Sequence, residues 1–291
     1  MSETIGAFIS FLEFEKRLSR HTVTAYRTDL RQFEDFLKEK GTVPENADRH
    51  VVRSWLIALS GQKLGAVSIN RKIAALRAYY RFLRKKKLAE TDPASLVTAL
   101  KKPRKLPGFV DETAMELLFD SSLFDESPQG SRDRLVIEIL YGTGMRLSEL
   151  IGLKVGDVSL SNATIRVLGK RSKERIIPVT PGLIGLIGEH IARLESKSPS
   201  QPLLATDKGA PLYPVFVQRL VKKYLSAVTS IAHKSPHLLR HTYATHLLNR
   251  GADLNAIREL LGHTSLAATQ VYTHNAIEEL KKTFLQAHPK A

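Results

Sequence analysis

Four side chains between residues 235 and 272 have the types and spacing to act together on an anion: His237, Arg240, His263 and Tyr272. Ser235 followed by Pro236 reads as a helix start, with serine as the N-cap and proline at the first helical position. On that helix His237 and Arg240 stand three residues apart and share a face. Leu239, Ala244, Leu247 and Leu248 take another face toward a core. The free N–H groups and the macrodipole of a helix start add to the cationic side chains in holding an anion. Gly262 reads as a helix C-cap. After it come His263 and Tyr272 in a short polar segment. Histidine, arginine, histidine and tyrosine in that order point to phosphate chemistry with an oxygen nucleophile.

Attack at the phosphorus of a phosphodiester passes through a five-coordinate state with added negative charge on the non-bridging oxygens. Arginine suits that state, because its planar fork stays charged and donates two hydrogen bonds at once. A tyrosine nucleophile must lose a proton and the departing alkoxide must gain one, so an acid and a base belong nearby. His237, His263 and Lys170 are the candidates. Covalent exchange keeps the bond energy in the enzyme–substrate link, so neither ATP nor a metal is required. Singly, each residue also has an ordinary reading: a surface arginine, a half-buried tyrosine, a basic turn at Gly169-Lys170. His237 and His241 stand at i, i+4 but have no glutamate between them and no evident third ligand, so a metal site is not expected. No Walker-type glycine-rich loop is present to support nucleotide hydrolysis.

The rest of the 291 residues must position these groups. Lys and Arg number 44 against 29 Asp and Glu, a net charge of +15 that favours a polyanionic partner. The excess is uneven: residues 1–105 hold 22 basic side chains and 11 acidic, the remainder 22 and 18. The absence of cysteine excludes disulfides and cysteine-ligated zinc. The start, Met1-Ser2-Glu3-Thr4, lacks a signal-peptide profile, and no apolar run approaches the roughly 20 residues of a membrane span. A cytoplasmic protein is the plain reading.

Periodicity predicts helices over 3–17 (Ile5, Phe8, Ile9, Leu12), from Ser19 or Thr22 to Gly41, after Asp48, and from about Ser68 to Lys87. This makes a small helical domain at residues 1–100. The aromatics at 26, 33, 36, 55, 79 and 80 read as core. The last of these helices also carries Arg71, Lys72, Arg77, Arg81 and Arg84 on its other faces, a stripe suited to phosphate contact. Residues 101–110, with two prolines, a glycine and a basic run, read as a linker. In a second domain, 111–291, helices are expected at 111–119, 132–141 and 147–153. Two strands follow, 164–168 and 174–179, joined by a basic hairpin loop, then helices near 181–194, 214–231 and 276–286. Ile277, Leu280, Phe284 and Leu285 form an apolar stripe on the last one, which must dock somewhere.

Taken together the motifs are specific. Gly142-Thr143-Gly144-Met145-Arg146-Leu147-Ser148-Glu149-Leu150 closely resembles the first catalytic box of tyrosine recombinases, the phage integrase family. Leu168-Gly169-Lys170-Arg171-Ser172-Lys173-Glu174-Arg175 resembles its lysine-bearing β-hairpin. His237-Leu238-Leu239-Arg240-His241, Leu260-Leu261-Gly262-His263 and Val271-Tyr272-Thr273-His274 resemble its remaining boxes, in the same order and spacing. The chain is similar to the short Xer type, though a short integrase of a mobile element would look much the same. The resemblance implies a mainly α fold with a small β-hairpin or sheet: a SAM-like helical core-binding domain and a mixed α/β catalytic domain, closing on double-stranded DNA as a C-shaped clamp. It implies Tyr272 as nucleophile, Arg146 and Arg240 as phosphate clamp, Lys170 as proton donor to the leaving oxygen, His237 as acid/base and His263 as hydrogen-bond donor; Glu149 orients its neighbours. It places DNA contacts at Thr22, Tyr26, Ser68, Arg71, Lys72 and Arg77. It also implies a tetramer on two DNA sites, with a second Xer recombinase and a septal DNA translocase as partners, the last helix docking on a neighbouring protomer, and no cofactor. A type IB topoisomerase, a nuclease and a catalytically inactive DNA-binding protein are the competing readings.

Overall fold

The computed structural model describes residues 2–62, 64–101, 108–120, 122–169, 174–262 and 284–290. It divides into two compact units, Met1–Lys105 and Leu106–Ala291, each with its own apolar core. The mainly helical character with one small sheet agrees with the sequence expectation. No helix among the described residues is long and apolar enough to cross a membrane.

In the first unit, α1 (Glu3–Ser10) continues into a single π turn at Phe11–Glu15. α2 (Arg20–Glu39) begins where the Ser19 hydroxyl accepts the Thr22 N–H at 3.3 Å. α3 (Arg49–Gly61) begins where the Asp48 carboxylate accepts that of Val51 at 2.8 Å. Each cap meets a donor that the helix itself leaves free. α4 (Ala66–Lys85) completes the bundle. Phe33 meets Trp55 at a centroid distance of 4.9 Å and Phe8 meets Tyr79 at 5.4 Å. Tyr26 and Phe36 pack half-buried at the edge, so the aromatics do serve as core.

The basic residues of α4 divide into two groups. Asp29 lies beside Leu30 on the buried side of α2, 1% exposed, and a carboxylate there must be met by donors. Lys72 Nζ stands 2.8 Å from its Oδ1, Arg71 bonds its Oδ2, and Lys72 also donates to Gln32 and lies over the Trp55 ring. Lys72 is 3% exposed, which corrects its assignment as a DNA contact: its charge is matched inside the fold and cannot reach a phosphate. The Arg77 guanidinium donates to the carbonyls of Ala94 and Val97, bracing the segment that follows α4. Arg71, Arg81 and Arg84 are exposed, and Thr22, Tyr26 and Ser68 half-buried.

The second unit is built around α6 (Pro128–Thr143), in which every residue from Leu135 onward is buried. A helix apolar on all sides belongs inside. α10 (Pro236–Asn249), α8 (Pro181–Arg193) and α9 (Pro214–Val228) pack on it, with α5 (Glu112–Asp120) against α9. α7 (Leu147–Ile151) follows α6 and α11 (Leu254–Leu261) follows α10. The sheet is an antiparallel meander of β1 (Val158–Ser159), β2 (Thr164–Leu168) and β3 (Glu174–Pro178). Ile165 stands opposite Ile177 and Val167 opposite Arg175 on its buried face. The two-residue β1 is too short to leave a period in the sequence.

Residues 284–290 dock on their own unit. Phe284, Ala287 and His288 are buried, with His288 packed against the Tyr141 and Tyr243 rings, while Leu285 is 45% exposed. Lys290 donates to both Glu138 oxygens at 2.6 Å. The inward set therefore follows i, i+3, i+4 from Phe284, which turns Leu285 outward, contrary to the predicted stripe. Ile277 and Leu280 lie outside the described residues.

Asp29→Ala leaves the Lys72 ammonium buried without its carboxylate, and the expected loss is about 3–5 kcal/mol. Replacing both residues together, D29L with K72M, restores most of it. Urea unfolding of the full chain checks both.

Candidate active site

α10 begins as its sequence dictates. Ser235 caps the Leu238 N–H at 3.4 Å and Pro236 takes the first helical position. One turn in, His237 is exposed while Arg240 is buried, because the three-residue step carries the chain from the rim of the helix face into the domain. Arg240 Nη1 donates to the Gly144 carbonyl and Nη2 to that of Leu261, each at 2.6 Å.

Gly144 ends α6 in the left-handed conformation, φ +58°, with a Cβ position that would fall 2.4 Å from the Tyr243 ring. Only glycine meets both demands. The turn presents Arg146 as N-cap of α7, where Glu149 folds back so that its Oε2 accepts the Arg146 backbone N–H at 2.7 Å, one half of a capping box. The Arg146 side chain donates through Nη1 to Glu149 Oε1 at 2.8 Å and through Nη2 to the Gly262 carbonyl at 3.1 Å.

A third guanidinium, not foreseen from the sequence, completes the cluster. Arg175 on β3 donates to both Glu149 oxygens at 2.8 Å and to the Leu260 carbonyl at 3.0 Å. The signal was available: strand alternation puts Arg175 on the same face as Ile177, and an arginine on a buried face requires an acceptor.

Two guanidinium groups thus hold one carboxylate, with a third, that of Arg240, nearby on the Gly144 and Leu261 carbonyls. Burial pushes the Glu149 carboxyl up, but the Arg175 hydrogen bonds, the Arg146 N–H, the Arg175 charge and the Arg146 side-chain hydrogen bond outweigh it and bring it down to about 2. Arg240 is pushed down to about 10, first by burial and then by the neighbouring Arg146 and Arg175 charges. It remains charged at neutral pH, in a pocket with surplus positive charge that a phosphate would offset. Arg146 and Arg240 are brought to this cluster, and His237 lies one turn before Arg240. Lys170, His263 and Tyr272 lie outside the described residues.

The model of the phage integrase family matches residues 109–279, and that of the phage integrase N-terminal SAM-like domain matches residues 5–87. A tyrosine recombinase XerC of Chlorobaculum tepidum is 38% identical, covering 99% of this chain and 94% of the relative. A tyrosine recombinase XerC of Bacillus subtilis is 36% identical, covering 99% and 96%. Among solved structures, the integrase of the Tn1549 transposon in complex with transposon right end DNA has the same fold at a TM-score of 0.76, with 18% identity and coverage of 97% and 99%. The XerH site-specific recombinase bound to its palindromic difH substrate aligns at a TM-score of 0.72, with 22% identity and coverage of 96% and 83%.

A carboxyl lowered in the folded state stabilises the fold above its ordinary value of 4.5 and ceases to do so as pH falls through about 2. Stability measured by denaturant unfolding should therefore decline between pH 4.5 and 2 on account of Glu149. Glu149→Gln should remove that part of the slope.

Proposed function

The chain belongs to the phage integrase family and is a tyrosine recombinase, and from that premise we propose the following site and role. Residues 111–291 form the catalytic domain, 1–100 the core-binding domain and 101–110 the linker between them. Tyr272 attacks the scissile phosphorus of duplex DNA. A 3′-phosphotyrosyl bond forms, the P–O5′ bond breaks, and the tyrosine proton passes to a base, for which His237 is placed one turn from Arg240. Lys170 protonates the departing 5′ oxygen. His263 donates a hydrogen bond to the phosphate. Attack by a 5′-hydroxyl of the partner strand reverses the step and joins the exchanged strands. The phosphate bond is conserved throughout.

The observation that carries this reading is the pair Arg146 and Arg240, each fixed by backbone carbonyls at the junction of α6, α7, α10 and α11. Two donors of Arg240 anchored on Gly144 and Leu261 set the plane of its fork, and its other donors meet the non-bridging oxygens. Charge that grows in the transition state is then met by groups already in place.

The matches to XerC relatives over nearly the full chain support the finer role. Four protomers act on two DNA sites in the cytoplasm and resolve chromosome dimers before cell division, so that chromosomes partition. A second Xer recombinase and a septal translocase are the partners this role calls for.

Incubation with nicked duplex carrying a Xer-type site, followed by a denaturing gel, tests the chemistry. Wild type should form a covalent complex, and Tyr272→Phe should bind DNA without forming one. Arg146→Ala or Arg240→Ala should slow its formation by about 10²–10³-fold. An adduct with Y272F would assign the nucleophile elsewhere. Supercoil relaxation without two-site recombination would indicate a topoisomerase.

A substrate with sulfur at the 5′-bridging position needs no proton on its leaving group. Lys170→Ala should cleave that substrate at close to the wild-type rate and ordinary DNA slowly. Equal slowing on both would make Lys170 an electrostatic or positioning group.

A further inference from the structure

Arg175 takes no part in the steps above, yet it is 5% exposed, on the inner face of β3. Its donors reach two separate elements. Nη1 and Nη2 meet the two oxygens of Glu149 on α7, and Nε meets the carbonyl of Leu260 on α11. Two parallel bonds to one carboxylate and a third to a carbonyl fix the plane and the tilt of a group in a way that a lysine ammonium cannot reproduce.

A second observation places Arg175 in a larger arrangement. The last carbonyls of α11 are taken one by one: Leu260 by Arg175, Leu261 by Arg240 and Gly262 by Arg146. These carbonyls have no partner within their own helix, and the helix dipole makes them the negative end. Gly262 is left-handed, φ +64°, and a Cβ there would come within 3.1 Å of Arg175 Cδ and Nη1. Arg175 therefore lies directly against the end of the helix. On its other side it shares Glu149 Oε1 with Arg146 Nη1. Without Arg175, the Glu149 carboxylate would hold only Arg146 among these partners and would draw that fork toward itself.

We propose that Arg175 is a positioning residue for strand cleavage, which holds Glu149, and through it the Arg146 fork, in register with the end of α11. It does so without touching DNA. The inference rests on Arg146 and Arg240 acting as the phosphate clamp. A misplacement of about 1 Å in such a group lowers a rate by about 100-fold.

The test uses the full chain with R175K, E149Q and the double variant, measuring single-turnover formation of the covalent complex on the nicked duplex. R175K should bind the duplex as wild type does and form the complex about 100-fold more slowly. E149Q should be slowed comparably, and the double variant no more than the slower single, because both changes break one chain of contacts. In R175K the acid limb of the pH–rate profile should also move up toward the ordinary carboxylate range, about pH 4, as Glu149 loses its fork. A residue that only braced the fold would lower the unfolding temperature and leave that limb in place. R175K at the wild-type rate, an unmoved acid limb, or losses that multiply in the double variant would overturn the proposal. Should R175K fail to fold, folded E149Q decides, since a wild-type rate there leaves no route from Arg175 to Arg146. Absence of a covalent complex with wild type refutes the active-site reading and this proposal with it. A normal wild-type signal with an unimpaired R175K refutes this proposal alone.

Discussion

A carboxylate withdrawn from water stays ionised only where donors replace its solvent, and Glu149 has four. They are the backbone N–H and Nη1 of Arg146 and the two terminal nitrogens of Arg175. Much of the second unit depends on this one group. It starts α7 by reaching back to the N-cap, it ties β3 to α7, and it supplies the negative charge that lets arginines gather in one pocket. Without it, Arg146, Arg175 and Arg240 would repel one another across a poorly hydrated space. With it, the pocket keeps a surplus of positive charge, which is the condition for drawing in a phosphate.

The second anchor is the end of α11. A helix terminus is a poor place for buried structure unless its carbonyls find donors. Here three successive carbonyls find them on three arginines from different parts of the chain. The same contacts satisfy the helix and aim the guanidinium groups, so stability and site geometry share one set of hydrogen bonds. Gly144 and Gly262 allow it, because each turns the backbone through a left-handed conformation at the point of closest approach.

The first unit shows the same logic with a different outcome. Its basic excess is large, but charge is not uniformly surface. Asp29 draws Lys72 into the core, where the ammonium also covers the Trp55 ring. The cations left for a polyanion are those whose faces point outward, such as Arg81 and Arg84.

Much of this was legible in the sequence, for local reasons. Ser19, Asp48 and Ser235 cap helices because their side chains meet backbone donors three residues away, and such pairings are written in neighbouring residues. Strands 164–168 and 174–178 follow from alternation, and Gly262 from its place after an apolar turn. The family and its ordered motifs were legible too. What only the tertiary structure decided are pairings between distant residues. Lys72 and Arg81 belong to the same basic helix, and the carboxylate that satisfies the buried cation, Asp29, lies 43 residues before Lys72. Phe284 and Leu285 are equally apolar, and only the packing of the second unit's core takes Phe284 inward and leaves Leu285 outside. Arg175 sits 26 residues from Glu149 and 85 from Leu260, so its partners leave no periodic trace. A charge can be read from one residue, but its burial depends on what the fold brings against it.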